Sequence, residues 1–281
     1  MSTRVVVTGI GVVSAYGIGR EAFWSGLAAG RSCARLLDFP GIENLPVRFA
    51  APVPLRDEEL AERLPNAKSA KTMSRAATFA MLAAVEAMQQ SGLDSTAVDP
   101  SRVGTALGMG GLGLFDREYV ERTFDVFARA YDAGRGALDR STVWRHTLEG
   151  INPLTPLKAL PNIATAHVAI QLDARGPSNT YTTACTSGAQ AIGEAYRLVQ
   201  RGECDVVIAG GADSMVNPNG MVAFTALGVL SQNNDEYQVA ARPFDKRRDG
   251  FMLGEGAAVL ILESLDCCRA RGAQPLAEVM G

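Results

Sequence analysis

The chain predicts an α/β fold, with a largely parallel sheet covered by helices on both faces. Three observations carry this. Short β-branched runs alternate with longer stretches of helical periodicity along most of the sequence. One run, DVVIAGG at 205–211, is apolar throughout, as a strand buried on both faces must be. With 281 residues, 47% apolar and 20% charged, the chain has the length and composition to bury a full core.

Taken in order, residues 4–8 (RVVVT) form a first buried strand, ended by Gly9 and Gly11. A short helix over 21–29 follows, then a loop rich in proline from 40 to 65. Met73, Ala77, Phe79, Ala80, Ala84, Val85 and Met88 recur at helical spacing and place a helix over 69–90, stopped by Gly92. Residues 102–107 form a second strand. Between 113 and 156, Phe115, Tyr119, Thr123, Phe127 and Tyr131 recur every four residues, which predicts an amphipathic helix with an aromatic stripe. A helix over 157–172 leads to a strand at 180–183 and then to a helix opening at Cys185. Strands at 205–211 and 256–262 complete the pattern. After Ser264 come a short helix and a possible strand over 275–280.

Composition excludes several function classes. The net charge of −3 and the lack of basic runs interleaved with aromatics give no footprint for nucleic acid. No apolar run approaches the ~18–20 residues that span a bilayer, and the opening MSTRVVVTGIG reads as a strand, not a leader. The five cysteines are odd in number and form no CxxC pair, so neither a disulfide framework nor a zinc site is expected. Reduced thiols and a cytoplasmic setting are the default.

The stretch GPSNTYTTACTSGAQAIG at 176–193 carries the chemistry. A strand running into a helix at Cys185 sets that thiol at the positive end of the helix dipole, among amide groups without intrahelical partners. That setting favours a thiolate without a metal, and it makes Cys185 the candidate nucleophile. Its competitor is a small buried cysteine with a packing role. GMGGLG at 108–113 satisfies a dinucleotide-binding spacing literally, but no following strand closes on an acidic residue, so tight turns are the better reading. A serine-hydrolase elbow is absent. Lys68, Lys71 and Arg75 cluster near a helix start, and Arg242–Arg248 forms a second basic run; a solvated face is the simple reading of each.

TACTSG after GPS resembles the active-site segment of β-ketoacyl-acyl carrier protein synthases, thiolase-like condensing enzymes of elongation type. VVVTGIGVVSAYG, MSRAATFAMLAAVEAM and the run from FTALGVLS to RPFDKRRDGFMLGEGAAVLILE agree, and the resemblance spans nearly the whole chain. It implies a thiolase-like fold of two pseudo-symmetric halves, each a five-stranded mixed sheet with helices on both faces. Residues 1–263 would be the half that carries the nucleophile, and 264–281 the start of the second. It further implies acylation of Cys185 and decarboxylative condensation with malonyl-acyl carrier protein. Ala184, Phe224 and Phe251 would border the acyl pocket, Lys68, Lys71 and Arg75 would dock the acidic carrier protein, and no cofactor or metal would take part. The 113–156 stretch would be a packing or dimer-contact element, or would reshape the acyl pocket.

In the family, two histidines from a His-Gly-Thr and a Gly-His segment work with the cysteine. Here the histidines are His146 and His167, both upstream of Cys185, and both read as structural. The expected origins are a truncated chain or a split enzyme completed by another polypeptide, with an apolar helix layer left for a partner. Homodimer contacts at 179–183, or a hetero-assembly that supplies the second half, follow from the resemblance. Two other classes stay open at this point: a non-catalytic subunit that shapes a partner's pocket, and, more remotely, an NAD(P)-binding oxidoreductase.

Overall fold

The computed structural model describes residues 3–93, 98–110, 117–150 and 152–280. In chain order the elements begin with β1 (Val5–Ser14), β2 (Gly17–Ile18), α1 (Arg20–Ala28), β3 (Arg35–Leu36), β4 (Phe49–Ala50), α2 (Asp57–Glu62) and α3 (Arg75–Ser91). Then come β5 (Val103–Met109), α4 (Arg117–Ala130), β6 (Tyr131–Asp132), β7 (Ala137–Leu138), α5 (Arg140–Gly150), α6 (Thr155–Lys158) and α7 (Asn162–Gln171). The last part holds β8 (Ser178–Tyr181), α8 (Ser187–Gln200), β9 (Val206–Ser214), α9 (Pro218–Ala226), β10 (Glu255–Ser264), α10 (Leu265–Ala270) and β11 (Ala277–Val279).

The main sheet runs β11-β1-β10-β9-β5-β8, with β2 paired to β1. The five long runs read from the sequence are its β1, β5, β8, β9 and β10. The pairing corrects the expectation of a largely parallel sheet. β5 pairs parallel with β8 and β9, whereas β9–β10, β10–β1 and β1–β11 are antiparallel. Alternating strand and helix signals report layers, not strand order. The long excursion from Pro218 to Gly254 brings β10 back antiparallel beside β9. After Ser264, α10 packs on β1 and β10, and β11 pairs with β1 at the edge of this same sheet, so residues up to Val279 still belong to its layers.

Alternation along the strands divides the core in two. Val103, Leu107, Ile208, Val259 and Ile261 pack against α3 and α7. Ala106, Val207, Ala209, Leu262, Val5 and Val7 pack against Ala191, Ala195, Leu198 and Val199 of α8. Helix α3 starts where the Ser74 hydroxyl accepts the Ala77 N–H at 3.2 Å and stops at Gly92, φ 62°. It lies close on β1 because both surfaces are small. A Cβ on Gly9 would collide with the Ala87 carbonyl oxygen, and one on Gly11 with that of Ala83. Beyond the bulge at Val7/Gly9, past the reach of β11, α3 side chains satisfy the β1 amides: Gln90 Oε1 accepts the Ile10 N–H at 2.7 Å, and Glu86 Oε2 the Val12 N–H at 2.8 Å. Gly9 and Gly11 therefore serve helix–strand packing.

Two helices differ from expectation. The periodicity over 157–172 is interrupted, giving α6 and α7 with Pro161 as the α7 N-cap. Proline cannot donate within a helix but opens one readily. On α4 the buried line is Val120, Val126 and Ala130, while Phe127 and Tyr131 of the predicted stripe are exposed, together with Phe124. Phe115, the first residue of that stripe, lies outside the described residues. Among the described residues, no helix is long and apolar enough to cross a membrane, and no group of His, Cys, Asp and Glu is arranged to hold a metal ion.

The end of the sheet is fastened by a buried ion pair. Arg271 donates to both carboxylate oxygens of Glu263 at 2.8 Å and to the Ser91 carbonyl at 2.9 Å. The two side chains are 10% and 0% exposed. Arg271→Ala strands the Glu263 carboxylate in the core and is expected to cost ~3–5 kcal/mol in urea unfolding; a loss under ~1 kcal/mol would show the pair to be dispensable. Gly11→Ala, which drives a methyl into the α3 backbone, is expected to cost ~1–3 kcal/mol. Unchanged stability there would mean that α3 shifts freely on β1.

Candidate active site

Cys185 sits at the joint between β8 and α8. The strand register aligns Gly108 of β5 with both Tyr181 of β8 and Gly211 of β9, so the chain leaves β8 at the end of the sheet where β5 and β9 also finish. Two glycines make room there. A Cβ on Gly108 would collide with the Ser187 carbonyl and the Gly188 amide, and one on Gly211 would sit 3.1 Å from the Gly188 Cα. The start of α8 is thus seated directly on the strand backbones. GMGGLG contributes Gly108 to this junction and Gly110 to a contact with the Asp213 carboxylate; Gly111 and Gly113 lie outside the described residues.

The helix does not open at Cys185. Ala184–Thr186 form a 3-10 turn, and the α-helix proper begins at Ser187. The cause is Ala184, whose φ of 52° lies in the left-handed region that residues with a Cβ seldom occupy. Side-chain bonds hold this shape. The Ser187 hydroxyl accepts the Thr183 N–H at 2.7 Å and donates to the Ala184 carbonyl at 2.7 Å. Thr186 Oγ1 donates to the Thr183 carbonyl at 2.7 Å, and Thr183 Oγ1 donates to Gln190 Oε1 at 2.9 Å. The turn presents Cys185 to solvent, whereas Cys204 and Cys268 are buried. Desolvation pushes the Cys204 and Cys268 thiols up, and Cys267 is pushed up to about 12 by burial and the adjacent Glu263. The reading of Cys185 as a small buried packing residue therefore fails.

The other sequence-picked residues fall into three groups. Ala184 is the strained residue before the thiol. Phe224 on α9 and Phe251 meet edge to face, ring centroids 6.0 Å apart, with Phe251 46% exposed. Lys68 and Lys71 are exposed on a 3-10 turn, Ala67–Thr72.

Arg75 does not belong with those lysines. It turns inward, donates to both oxygens of Glu255 at 2.7–3.1 Å and to Asp57 at 2.6 Å, and bonds the Val53 and Leu55 carbonyls. Glu255, 1% exposed at its side chain, also accepts the Val53 N–H and the Ser214 hydroxyl. Arg75 is thereby engaged from several sides and is not a surface docking charge. Its partners lie up to 180 positions away, beyond the reach of any local sequence pattern. The Arg242–Arg248 run is a turn in which Asp245 Oδ1 accepts the Arg247 N–H, with Phe244 projecting into solvent at φ 66°.

The two histidines lie away from Cys185 in sequence, and His167 has a structural partner. His167 Nε2 lies 2.9 Å from Thr72 Oγ1, and desolvation lowers its pKa. His146 faces Glu149 one turn along α5. A cavity of about 700 Å³ opens on the α3 side at the same end of the sheet, bordered by Ser74, Arg75, Met109, Lys158, Asp213 and Glu255.

Comparison with known proteins agrees with this geometry. The family described as Beta-ketoacyl synthase, N-terminal domain, matches residues 2–267. A putative polyketide beta-ketoacyl synthase 1 of Streptomyces cyaneus is 39% identical over all of this chain and 63% of its own length. The 3-oxoacyl-(acyl-carrier-protein) synthase 2 of Vibrio cholerae is 35% identical over 99% of this chain and 62% of its own. Among solved structures, a type II polyketide ketosynthase bound to a hexaketide, in complex with its acyl-carrier protein, superposes with a TM-score of 0.79 at 26% identity, over 100% of this chain and 63% of that one. A beta-ketoacyl synthase from Burkholderia phymatum gives 0.79 at 29%. The chain spans somewhat under two thirds of the length of these relatives, and its five long strands with helices on both faces form one half of a thiolase-like fold. An exposed cysteine on a locked strand-to-helix turn, within a sequence matched from residue 2 to residue 267, places this chain in the beta-ketoacyl synthase family, through its N-terminal domain.

Proposed function

We propose that the chain carries the acyl-accepting half of a ketosynthase reaction in fatty acid or polyketide synthesis. The exposure of Cys185 on its hydrogen-bonded turn is the observation that supports this most directly. Cys185 Sγ attacks the carbonyl carbon of an acyl thioester carried on acyl carrier protein. A new C–S bond forms, the carbonyl oxygen becomes an oxyanion, and the carrier's pantetheine thiolate leaves as the carbonyl is restored. The Cys185 N–H, at the start of the turn into α8, is one donor to that oxyanion; a single such donor is worth ~2.7–4 kcal/mol of barrier. Loss of CO2 from malonyl-acyl carrier protein then yields a carbanion that attacks the acyl carbon. The C–C bond forms and the Cys185 thiolate is released.

In this reading residues 1–263 form the nucleophile-bearing unit, and 264–281 lead into the second. The second oxyanion donor and the two decarboxylating histidines belong to the remaining length of the relatives: His167 is bonded to Thr72, and His146 stands on α5 beside Glu149, its Nδ1 without a hydrogen bond among the described residues. Ala184, Phe224 and Phe251 border the acyl chain. Lys68 and Lys71 are the exposed cations that meet an acidic carrier protein; the structural neighbour seen with its carrier supports such a partner. Dimer contacts, or a hetero-assembly, form along β8, whose outer edge has no strand beside it among the described residues. A cytoplasmic setting keeps the thiol reduced. The alternative of a non-catalytic pocket-shaping subunit is disfavoured by the retained cysteine, and a nicotinamide enzyme by glycines spent on packing.

The test is mass spectrometry of the chain after incubation with an acyl-acyl carrier protein thioester. A single acyl adduct on the Cys185 peptide is expected. Cys204, Cys267 and Cys268 should stay unmodified, since burial raises all three thiols; with a pKa of about 12, the Cys267 thiol is thiolate in only ~1 part in 10,000 at pH 8. Cys185→Ser should give no thioester adduct, and the isolated chain supplied with malonyl-acyl carrier protein should release no ketoacyl product. An adduct spread over other cysteines, or none even with the complementing half present, would overturn the catalytic reading.

A further inference from the structure

We infer that Ser187 is a positioning residue for the nucleophile: its hydroxyl holds Ala184 in the left-handed conformation that presents Cys185. The inference rests on the proposed role of Cys185, but it concerns the geometry of the turn and can be tested apart from ketosynthase activity.

Ser187 is 4% exposed, and its hydroxyl is used twice within one turn. It accepts the Thr183 N–H and donates to the Ala184 carbonyl, each at 2.7 Å. The two peptide groups bonded are those on either side of the pair 183–184, so one oxygen fixes both the exit from β8 and the orientation of the peptide that precedes Cys185 N. A left-handed residue with a Cβ persists only where its surroundings over-determine it. Here the hydroxyl is the side-chain part of that constraint, beside the Ser187 backbone N–H that donates to the same Ala184 carbonyl, and Gly108 allows it: any side chain on Gly108 would collide with Ser187 and Gly188 and lift the start of α8 away from the sheet. Thr186 holds the other side of the turn through the Thr183 carbonyl and does not bond Ala184. Ser187 is therefore the side chain bonded to the strained residue itself. No proton or electron transfer is assigned to it. The Ser187 hydroxyl donates to a carbonyl and accepts from an amide, so it is already engaged in both senses and is not a base toward the thiol.

The proposal predicts a specific coupling. If Ser187 acts by holding φ of Ala184 positive, its removal matters only while residue 184 dislikes that conformation. Glycine occupies the left-handed region without strain, so in an Ala184→Gly background the clamp becomes redundant. The experiment measures the rate of Cys185 alkylation by iodoacetamide, followed by peptide mass spectrometry between pH 6 and 10, with thermal melts run alongside. The four proteins are the native chain, Ser187→Ala, Ala184→Gly and the double variant. Ser187→Ala is expected to slow alkylation of Cys185 by about tenfold and to move its pH profile, the order set by the strain of one left-handed residue. The same change in the Ala184→Gly background is expected to alter the rate by less than about twofold. A loss of equal size in both backgrounds would mean that Ser187 merely packs the helix start, and would overturn the inference; so would an unchanged rate in Ser187→Ala. Should Ser187→Ala fail to fold, Ser187→Gly, which also lacks the hydroxyl and adds no second thiol for iodoacetamide, carries the same comparison. Because iodoacetamide needs no carrier protein, a chain that shows this coupling yet takes no acyl group would sink the ketosynthase reading and leave the inference standing.

Discussion

The arrangement depends on one close approach. Helix α8 can begin where it does only because Gly108 and Gly211 present bare backbone at the finish of two adjacent parallel strands. Parallel strands that end together place the loops following them at one edge of the sheet, and a helix starting there points its first amides into the same space. A larger residue at Gly108 would drive the start of α8 outward, and the thiol with it, whereas at Gly211 a Cβ would press on Gly188 Cα at 3.1 Å. The same economy recurs on the opposite face, where Gly9 and Gly11 let α3 settle on β1. Helices thus contact the sheet on both sides through backbone as well as side chains, which leaves little freedom for either layer to slide.

Around this junction the polar groups divide by role. Ser187 and Thr186 act within four residues of the cysteine and shape a turn. Arg75 and Glu255 act between distant segments, drawing the loop at Val53–Leu55, the start of β10 and the finish of β9 to the first turn of α3. The local set determines how the thiol is presented, and the distant set determines the frame in which the cavity beside α3 is built. Burial raises the Cys204, Cys267 and Cys268 thiols, whereas Cys185 is exposed.

Much of this was readable from the chain. Five strands of the main sheet were located from their β-branched runs, but β1 does not end at Gly9 and Gly11 as expected: it runs through both to Ser14, paired with β10. The exposed position of Cys185 at a strand-to-helix joint was legible because small residues flank it where a strand gives way to a helix. The direction of strand pairing was not legible, since alternation of elements records layering and says nothing of which strands become neighbours. Helix 157–172 was drawn straight through Pro161, although a proline there was a readable signal for a break. The left-handed Ala184 could not be read at all: nothing in composition separates a 3-10 turn from the first turn of an α-helix. The aromatic repeat on α4 was real as a pattern but does not mark the face packed within this chain, because periodicity identifies a face without saying what covers it; valines and an alanine at neighbouring positions form the buried line instead.

Arg75 shows how far equal charges can differ. By charge alone it is interchangeable with Lys68 and Lys71. Its guanidinium, however, serves two carboxylates and two carbonyl oxygens at once, a task for five donors fixed in a plane. An ammonium has three donors on a flexible stem and would leave part of that set without hydrogen atoms to accept. Exchange of lysine for arginine is thus free on the exposed turn and closed a few residues later, and drift in this lineage should leave Arg75 untouched while the neighbouring cations vary.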